Sequence, residues 1–473
     1  MFFQQVYDEG LAQASYVIGC ESTGEALVVD PRRDVDAYTA LAARHDLHIV
    51  GVAETHIHAD YLSGGRELAA ATGATLYLSG LGDEGEGYVA NQPDVRVKLV
   101  QNGDEIRIGE VRARVRHTPG HTPEHICFEI FDGSDKTVPM MLLSGDFIFV
   151  GDLGRPDLLE QSLGKTGSAQ ASARTLFGSL RGVLKDLPDF VAIWPAHGAG
   201  SACGKALGAV PSTTLGYERR FSWWSRFLEN GDEVGFVKAL LQGQPDAPTY
   251  FARMKHDNRG FTPLLHSLPQ PPLLDAAALR AALDAGAALV DTRPRDQFCS
   301  LHIKGALSVP DRSPFASRSA WFLSPDQPIV LLADSERIKP LVCALVRVGL
   351  DRVVGYIKDV QSSGLPTASL PQVNPEEAKR RWSAREAVLI DVRQRAEFAV
   401  AHIPNTTHVS AGSLAASLAV IPRNQPILVF CAGGDRSVAV ASVLRASGFE
   451  NVANMRGGFD EWKSRGFPAE SGL

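Results

Sequence analysis

The C-terminal part of the chain contains one pattern twice, and this repetition restricts the fold more than any other feature. LVDTRPRDQFCSLHIKGA (289–306) lines up with LIDVRQRAEFAVAHIPNT (389–406) at an offset of 100. Leu289, Asp291, Arg293, Phe298, His302 and Ile303 recur as Leu389, Asp391, Arg393, Phe398, His402 and Ile403. Further on, QPIVLLA (327–333) matches QPILVFC (425–431) at an offset of 98. A unit of about 100 residues is too long for a solenoid repeat and has the size of a duplicated domain. In each copy short apolar strands alternate with helical stretches such as RSVAVASVLRASG, which predicts α/β units with a parallel sheet covered by helices. At roughly 100–200 residues per domain, 473 residues suggest three. The expected division is 1–268, 269–370 and 371–473, with linkers near 266–273 (LPQPPLL) and 366–375. Ahead of the repeat, YERRFSWWSRFLENGDEVGFVKALLQG reads as amphipathic helix.

Composition excludes several classes. Apolar residues are 44% and charged residues 21%, too rich in core material for a disordered chain. No apolar run reaches the ~18 residues of a membrane span, and MFFQQVYDEGLAQ lacks the basic region of a signal peptide. Lys and Arg number 47 against 54 Asp and Glu, a formal charge of −7, with no long basic run. Neither nucleic acid nor a membrane is an expected partner. The six cysteines are scattered without a C-x-x-C pair, so a reducing cytoplasm is the expected location.

Four segments in the first domain share one layout, an apolar strand and then a turn bearing His or Asp. They are HIVGVAETHIHAD (48–60), RARVRHTPGH (112–121), PMMLLSGD (139–146) and DFVAIWPAH (189–197). The C-terminal ends of packed strands can converge on one edge, and a first-row metal needs such convergence of imidazole and carboxylate. His56-x-His58-x-Asp60, followed in order by His121, Asp146 and His197, resembles the metallo-β-lactamase superfamily signature H-x-H-x-D-H, which implies an αββα sandwich. His45, His48, His117, His256 and His266 read as structural. Tyr61 stands where the signature has its last histidine, a second-metal ligand in the dinuclear hydrolases.

That departure narrows the resemblance to the persulfide dioxygenases, supported by THIHADYLSGG, TPGHTP, SGDFIF, GRPD and PAHGAG. The resemblance implies one Fe(II) per chain held by His56, His121 and Asp146. His58, Asp60, Tyr61 and His197 would then support the ligands or remain from a second metal site. Arg155 and Asp157 of GRPD are expected to brace their loop. The implied reaction oxidises a low-molecular-weight thiol persulfide, of glutathione or coenzyme A, with O2 to sulfite and thiol. A two-His, one-carboxylate face suits it, leaving positions open on ferrous iron.

The last domain carries Cys431-Ala-Gly-Gly-Asp-Arg436-Ser437 between an apolar strand and a helix starting near 436. Backbone N–H groups and a helix N-terminus favour a thiolate there. The unit resembles a rhodanese, with D-x-R…E-F…H-I-P in IDVRQRAEFAVAHIPNT and a terminal GGFDEW. Cysteine phosphatases need C-x5-R, whereas only four residues separate Cys431 from Arg436. The resemblance implies a Cys431 persulfide, assisted by Arg436, that forms or consumes thiosulfate. In the middle copy Ala333 occupies the cysteine position and Ile338 that of Arg436, so that copy is expected to be a degenerate rhodanese serving as spacer, docking surface or oligomer contact. Cys299 and Cys343 read as structural, and Cys20 and Cys203 are candidate accessory thiols, Cys203 by its closeness to PAHGAG. A homo-oligomer acting in sulfide detoxification is expected. Two rivals stay open: a glyoxalase-II-like zinc thioester hydrolase fused to a sulfurtransferase, and a non-catalytic sulfur carrier.

Overall fold

The structure, a computed structural model, describes residues 1–82, 85, 87–132, 137–163, 167–312 and 314–472. Two compact units emerge: Met1–Ala247 with Phe251–Ser267, and Pro248–Tyr250 with Leu268–Leu473.

The first unit is built on two six-stranded sheets. One takes Phe2–Asp8, Gln13–Gly19, Glu25–Val29, His48–Ala53, Thr75–Ser79 and Arg96–Val100 in chain order, antiparallel at first and parallel from Glu25–Val29 onward. The other runs Thr213–Thr214, Ala192–Pro195, Met141–Gly145, Ile126–Phe131, Val111–His117, Glu105–Ile108. Tyr16, Ile18, Leu27 and Val29 of the first sheet pack against Ile106, Val111, Phe128 and Leu143 of the second, so the main core lies between the sheets. Tyr38, Leu41 and Leu68 cover the first sheet's outer face from helices Asp36–Arg44 and Gly65–Thr72. Leu176, Phe177 and Leu180 of helix Ser168–Asp186 cover the second. This is the αββα sandwich that the signature implied.

The amphipathic stretch differs from expectation. It forms three short helices, Leu215–Phe221, Ser225–Glu229 and Glu233–Leu241. Ser222 turns extended, and the Asp232 carboxylate caps a new start by accepting from Gly235 N–H at 2.8 Å. The apolar period survives because all three bury residues on one core, including Leu215, Trp224, Phe236 and Leu240.

The second unit holds both copies of the repeat. The first copy is a parallel sheet in the order Leu307–Ser308, Ala288–Asp291, Ile329–Leu332, Val353–Ile357. The second is parallel too: Gln372–Val373, Val452–Met455, Ile427–Phe430, Val388–Asp391, Thr407–His408. The stretch expected as a linker at 366–375 is stitched into both: Thr367–Ala368 pairs with His302–Ile303, and Gln372–Val373 with Val452–Met455. Two-residue strands leave no periodicity to read, hence the difference from the sequence. Phe298 and Leu332 of the first copy share one apolar core with Ile390, Val429 and Leu444 of the second. Among the described residues no helix is long and apolar enough to cross a membrane.

Candidate metal centre and nucleophile loop

The four strand–turn segments deliver their side chains to one place. His56 follows strand His48–Ala53, His121 the turn after Val111–His117, Asp146 strand Met141–Gly145, and His197 strand Ala192–Pro195. His56, His121 and Asp146 are buried, with ligand atoms all within 4.8 Å of one another. Asp146 Oδ2 lies 3.8 Å from His56 Nε2 and 3.5 Å from His121 Nε2. Two motif glycines make this approach sterically feasible. Gly145 has φ +52°, and a Cβ there would meet His125 Nε2 and Thr55 Oγ1 at 2.7 Å; a Cβ on Gly154 would overlap the Asp146 carbonyl.

Neighbouring groups settle which ring nitrogen is available. The Thr55 hydroxyl donates to Asp30 Oδ2 at 2.8 Å, so at 2.9 Å it accepts from His56 Nδ1–H and leaves Nε2 with a lone pair. His121 Nδ1 donates to the Arg155 carbonyl at 2.9 Å, with the same result. Burial pushes both imidazoles well below their ordinary pKa, which keeps them neutral as ligands must be. Burial likewise lifts Asp146 to about 6, and both of its carboxylate oxygens are buried without a hydrogen-bond donor. A buried orphan carboxylate facing two neutral imidazoles fits a cation.

The other signature residues divide into two groups. His58 turns aside: its Nε2 lies 3.2 Å from Asp30 Oδ1 and 3.3 Å from Glu54 Oε2. Burial opposes its protonation, but these two carboxylates outweigh it and raise its pKa well above the ordinary value. Asp60 and His197 stay beside the triad, with His197 Nε2 at 3.5 Å from both Asp60 Oδ2 and Asp146 Oδ1. Cys203 joins them within 4.8 Å. Burial, reinforced by the charges of Asp60 and Asp146, pushes that thiol well up. Tyr61 is fully buried, its hydroxyl 3.2 Å from the Asp30 carbonyl to which it donates. The Arg155 guanidinium grips Asp157 through two bonds, of 2.8 and 2.6 Å. It also donates to the Ala202 carbonyl at 3.2 Å, and so braces the loop whose own carbonyl orients His121.

Several participants carried no signal in the sequence. Asp30 and Glu54 claim His58, and His125 accepts from Asp146 N–H at 3.1 Å. Lys255, buried in helix Phe251–His256, has Glu124, Cys203 and Asp146 among its charge neighbours and is itself one of those of His121. Burial lowers its pKa. It sits in a segment that reads only as amphipathic. Cys20 lies apart from the triad at the end of strand Gln13–Gly19, its Sγ 3.1 Å from Ser22 Oγ and accepting from Glu110 N–H at 3.4 Å. The Ser22 contact outweighs burial and pulls its pKa down to about 6.

In the second unit, Cys431 directly follows strand Ile427–Phe430, and helix Asp435–Ala446 begins four residues later. Gly434, at φ +106°, donates its N–H to Cys431 Sγ at 3.0 Å, and Ser437 Oγ lies at 3.5 Å. Arg436 is held by Glu397 through bonds of 2.6 and 2.9 Å, with Cys431 among its charge neighbours. The GGFDEW stretch backs the loop: Phe459 N–H donates to the Cys431 carbonyl at 2.8 Å, and a Cβ on Gly458 would overlap the carbonyls of residues 431 and 432. Ala333 follows strand Ile329–Leu332 at the equivalent place and leads into a tight turn, Ser335–Arg337. Cys299 accepts from Gln372 Nε2 at 3.2 Å, and burial pushes it up to about 11. Cys343 lies in helix Ile338–Val346.

Comparison with known proteins follows the same division. A family model described as the metallo-beta-lactamase superfamily matches residues 8–197, and one described as a rhodanese-like domain matches twice, at 275–361 and 374–465. A crystal structure of a metallo-beta-lactamase from Staphylococcus aureus subsp. aureus COL is 39% identical with a TM-score of 0.66, covering 76% of this chain and 98% of that one. The mitochondrial persulfide dioxygenase ETHE1 of Homo sapiens is 27% identical over 199 residues, 42% of this chain and 68% of its own. A hydroxyacylglutathione hydrolase from Polaromonas sp. is 29% identical over 269 residues, 51% of this chain and 92% of its own.

Proposed function

The chain belongs to the metallo-β-lactamase superfamily and carries two rhodanese-like domains behind that fold, and from this premise we propose a persulfide dioxygenase joined to a sulfurtransferase. The observation that carries the reading is the buried His56–His121–Asp146 face, from which His58 is turned aside by Asp30 and Glu54. Ferrous iron, were it bound there, would supply the open positions and the redox couple through which O2 is activated, while the electrons that reduce O2 come from the outer sulfur of the persulfide. The protein's own part is to hold the ligands in one tautomer through Thr55 and Arg155, and to place a positive charge, Lys255, beside a site that must receive an anionic persulfide. The overall reaction is R–S–S⁻ + O2 + H2O → R–SH + SO3²⁻ + H⁺, with glutathione or coenzyme A as the carrier. Cys431 takes a sulfane sulfur in the loop that Gly434 and Ser437 line, and exchanges it with sulfite or a thiol. Placing both activities on one chain raises the effective concentration of the shared intermediate.

A second reading, a two-metal thioester hydrolase, is favoured by Asp60 and His197 beside Asp146 and by the hydroxyacylglutathione hydrolase relative. Against it, Tyr61 replaces a ligand and spends its hydroxyl on a backbone carbonyl. Oxygen uptake by the iron-reconstituted protein with glutathione persulfide separates the two. The dioxygenase requires uptake with one iron per chain, lost in His121→Ala while Cys431 still transfers sulfur. Thioester hydrolysis without oxygen uptake, with two metals bound, overturns it.

A further inference from the structure

Among the described residues, the charged side chains of the Cys431 loop already have carboxylate or guanidinium partners. Arg436 is committed to Glu397 by two bonds, and Asp435 is committed to the first copy of the repeat. Arg295 of that copy donates to Asp435 Oδ1 at 2.9 Å and to the Gly433 carbonyl at 2.6 Å, and Arg312 pairs with Asp435 Oδ2. A Cβ on Gly434 would lie 2.8 Å from Arg295 Nη1, so the glycine is also what lets the first copy come this close.

Among the described residues, one further cation within electrostatic range of this loop has no such pairing. Arg318, on helix Phe315–Phe322 of the first copy, has Nε and Nη1 buried without a hydrogen-bond acceptor. Its charge neighbours are Asp435, Arg312, Cys431 and Arg436. Three residues on, and therefore on the same helix face, the Trp321 indole Nε1 is likewise buried and unpartnered. The helix packs on the turn Ala411–Ser413 and helix Leu414–Ser417 of the second copy, with Trp321 Nε1 3.6 Å from where a Gly412 Cβ would be. Three orphaned buried donor atoms cost folding free energy that an arriving acceptor would restore.

We infer that the copy without a nucleophile completes the Cys431 site, Arg318 binding the sulfonate end of a thiosulfate donor with Trp321 Nε1 as a second donor. The inference rests on the sulfur-transfer reading of Cys431. The Cys431 thiolate attacks the outer sulfur of thiosulfate, a new S–S bond forms, and the bond to the sulfonate sulfur breaks. Its electron pair leaves with sulfite, so Cys–S⁻ and S2O3²⁻ become Cys–S–S⁻ and SO3²⁻. Negative charge accumulates on the departing sulfite, where a planar guanidinium with paired N–H groups is well matched to two oxygens.

Two measurements on the full chain test this. Thiosulfate binding is followed by calorimetry in a Cys431→Ser background, where no transfer can occur. Arg318→Met weakens it about tenfold or more, the loss expected for one charge-assisted hydrogen-bonded contact, and Arg318→Lys falls between. With Cys431 intact, mass spectrometry reads the thiosulfate concentration that half-loads it with sulfur. Arg318→Met raises that concentration by a similar factor, while loading from an alkyl persulfide lacking any acidic group changes less than twofold. Unchanged thiosulfate affinity in Arg318→Met, no thiosulfate binding by the parent, or equal losses with both donors would overturn the inference. Arg318-dependent binding without any loading of Cys431 would leave the anion site standing and remove the transfer reading instead.

Discussion

The two copies of the repeat share a skeleton and differ in one loop. In the first, Arg293 Nε and Nη2 bond Asp291 at 2.9 and 2.6 Å, and Nη2 reaches the Leu301 carbonyl at 2.8 Å. In the second, Arg393 repeats this with Asp391 at 3.0 and 2.6 Å and with Ala401 at 2.8 Å. His302 stacks on Phe298 at 4.0 Å between ring centroids, and His402 on Phe398 at 3.8 Å. These residues dominate the sequence signature, yet they are equally well placed in a copy with Ala333 for a nucleophile. Their work is to hold the sheet ends in both copies; the copies diverge at 431–437 and at Glu397, whose counterpart in the first copy is Gln297.

The largest expected effect tests that division directly. Cys431→Ser lowers thiosulfate–thiol sulfur transfer by roughly a thousandfold or more, as loss of a covalent nucleophile does. Ala333→Cys confers none, because the first copy lacks the glycine pair and the Arg436–Glu397 brace. Measurable transfer through residue 333 would break the comparison.

Next come the shared ion pairs. Asp291→Asn and Asp391→Asn each leave a guanidinium uncompensated against a buried site and destabilise by about 3 kcal/mol or more, read by urea unfolding. The second has the larger effect, since Arg393 is 5% exposed and Arg293 21%. A change in transfer without a change in stability would show that the pair serves chemistry after all.

Glu397 sharpens the contrast through pH. Burial pushes its carboxyl up, Arg436 more than offsets this, and the net pKa lies below the ordinary glutamate value. A carboxylate depressed in this way keeps its pair at every pH above the unfolded-state value and loses it as pH falls through the lowered one. The Arg436–Glu397 pair therefore holds down through the ordinary glutamate range and breaks only below it. Glu397→Gln reduces transfer by about tenfold, the scale of one charge-assisted hydrogen bond, and removes that acid-side loss from the pH dependence of stability read by urea unfolding.

The smallest effect concerns the join between copies. Ser308 N–H donates to Ser442 Oγ at 2.9 Å, so Ser442→Ala costs about 1 kcal/mol in unfolding experiments and leaves transfer nearly unchanged.

Much of this was legible before folding. The offset repeat marked the duplicated units, and the strand-then-His layout marked four segments that do converge, with glycine at residues 145 and 154 leaving the room their close approach needs. His58 was not legible: in H-x-H-x-D it looks equivalent to His56, and only the fold shows Asp30 and Glu54 claiming it. Lys255 and Arg318 were invisible for a related reason. A basic residue on an amphipathic helix reads as solvated, and its burial beside a site depends on which helix lies across it. The break of 217–243 into three helices was likewise hidden, since the apolar period continued across Ser222 and Asp232.

By itself, then, the sequence determined the local chemistry: which residues can ligate, which cysteine has a loop to sit in, and which copy has lost its nucleophile. Those properties follow from residue type and short spacing, which strand and turn geometry convert directly into position. Tertiary structure alone decided which histidines gather with Asp146, which arginines are already paired, and that the silent copy lays Arg295 and Arg312 on the Cys431 loop with Arg318 within electrostatic range. Pairing of charges is settled by what packs within a few ångströms, and residues more than a hundred positions apart reach that distance only once the two sheets and their helices have closed over a common core.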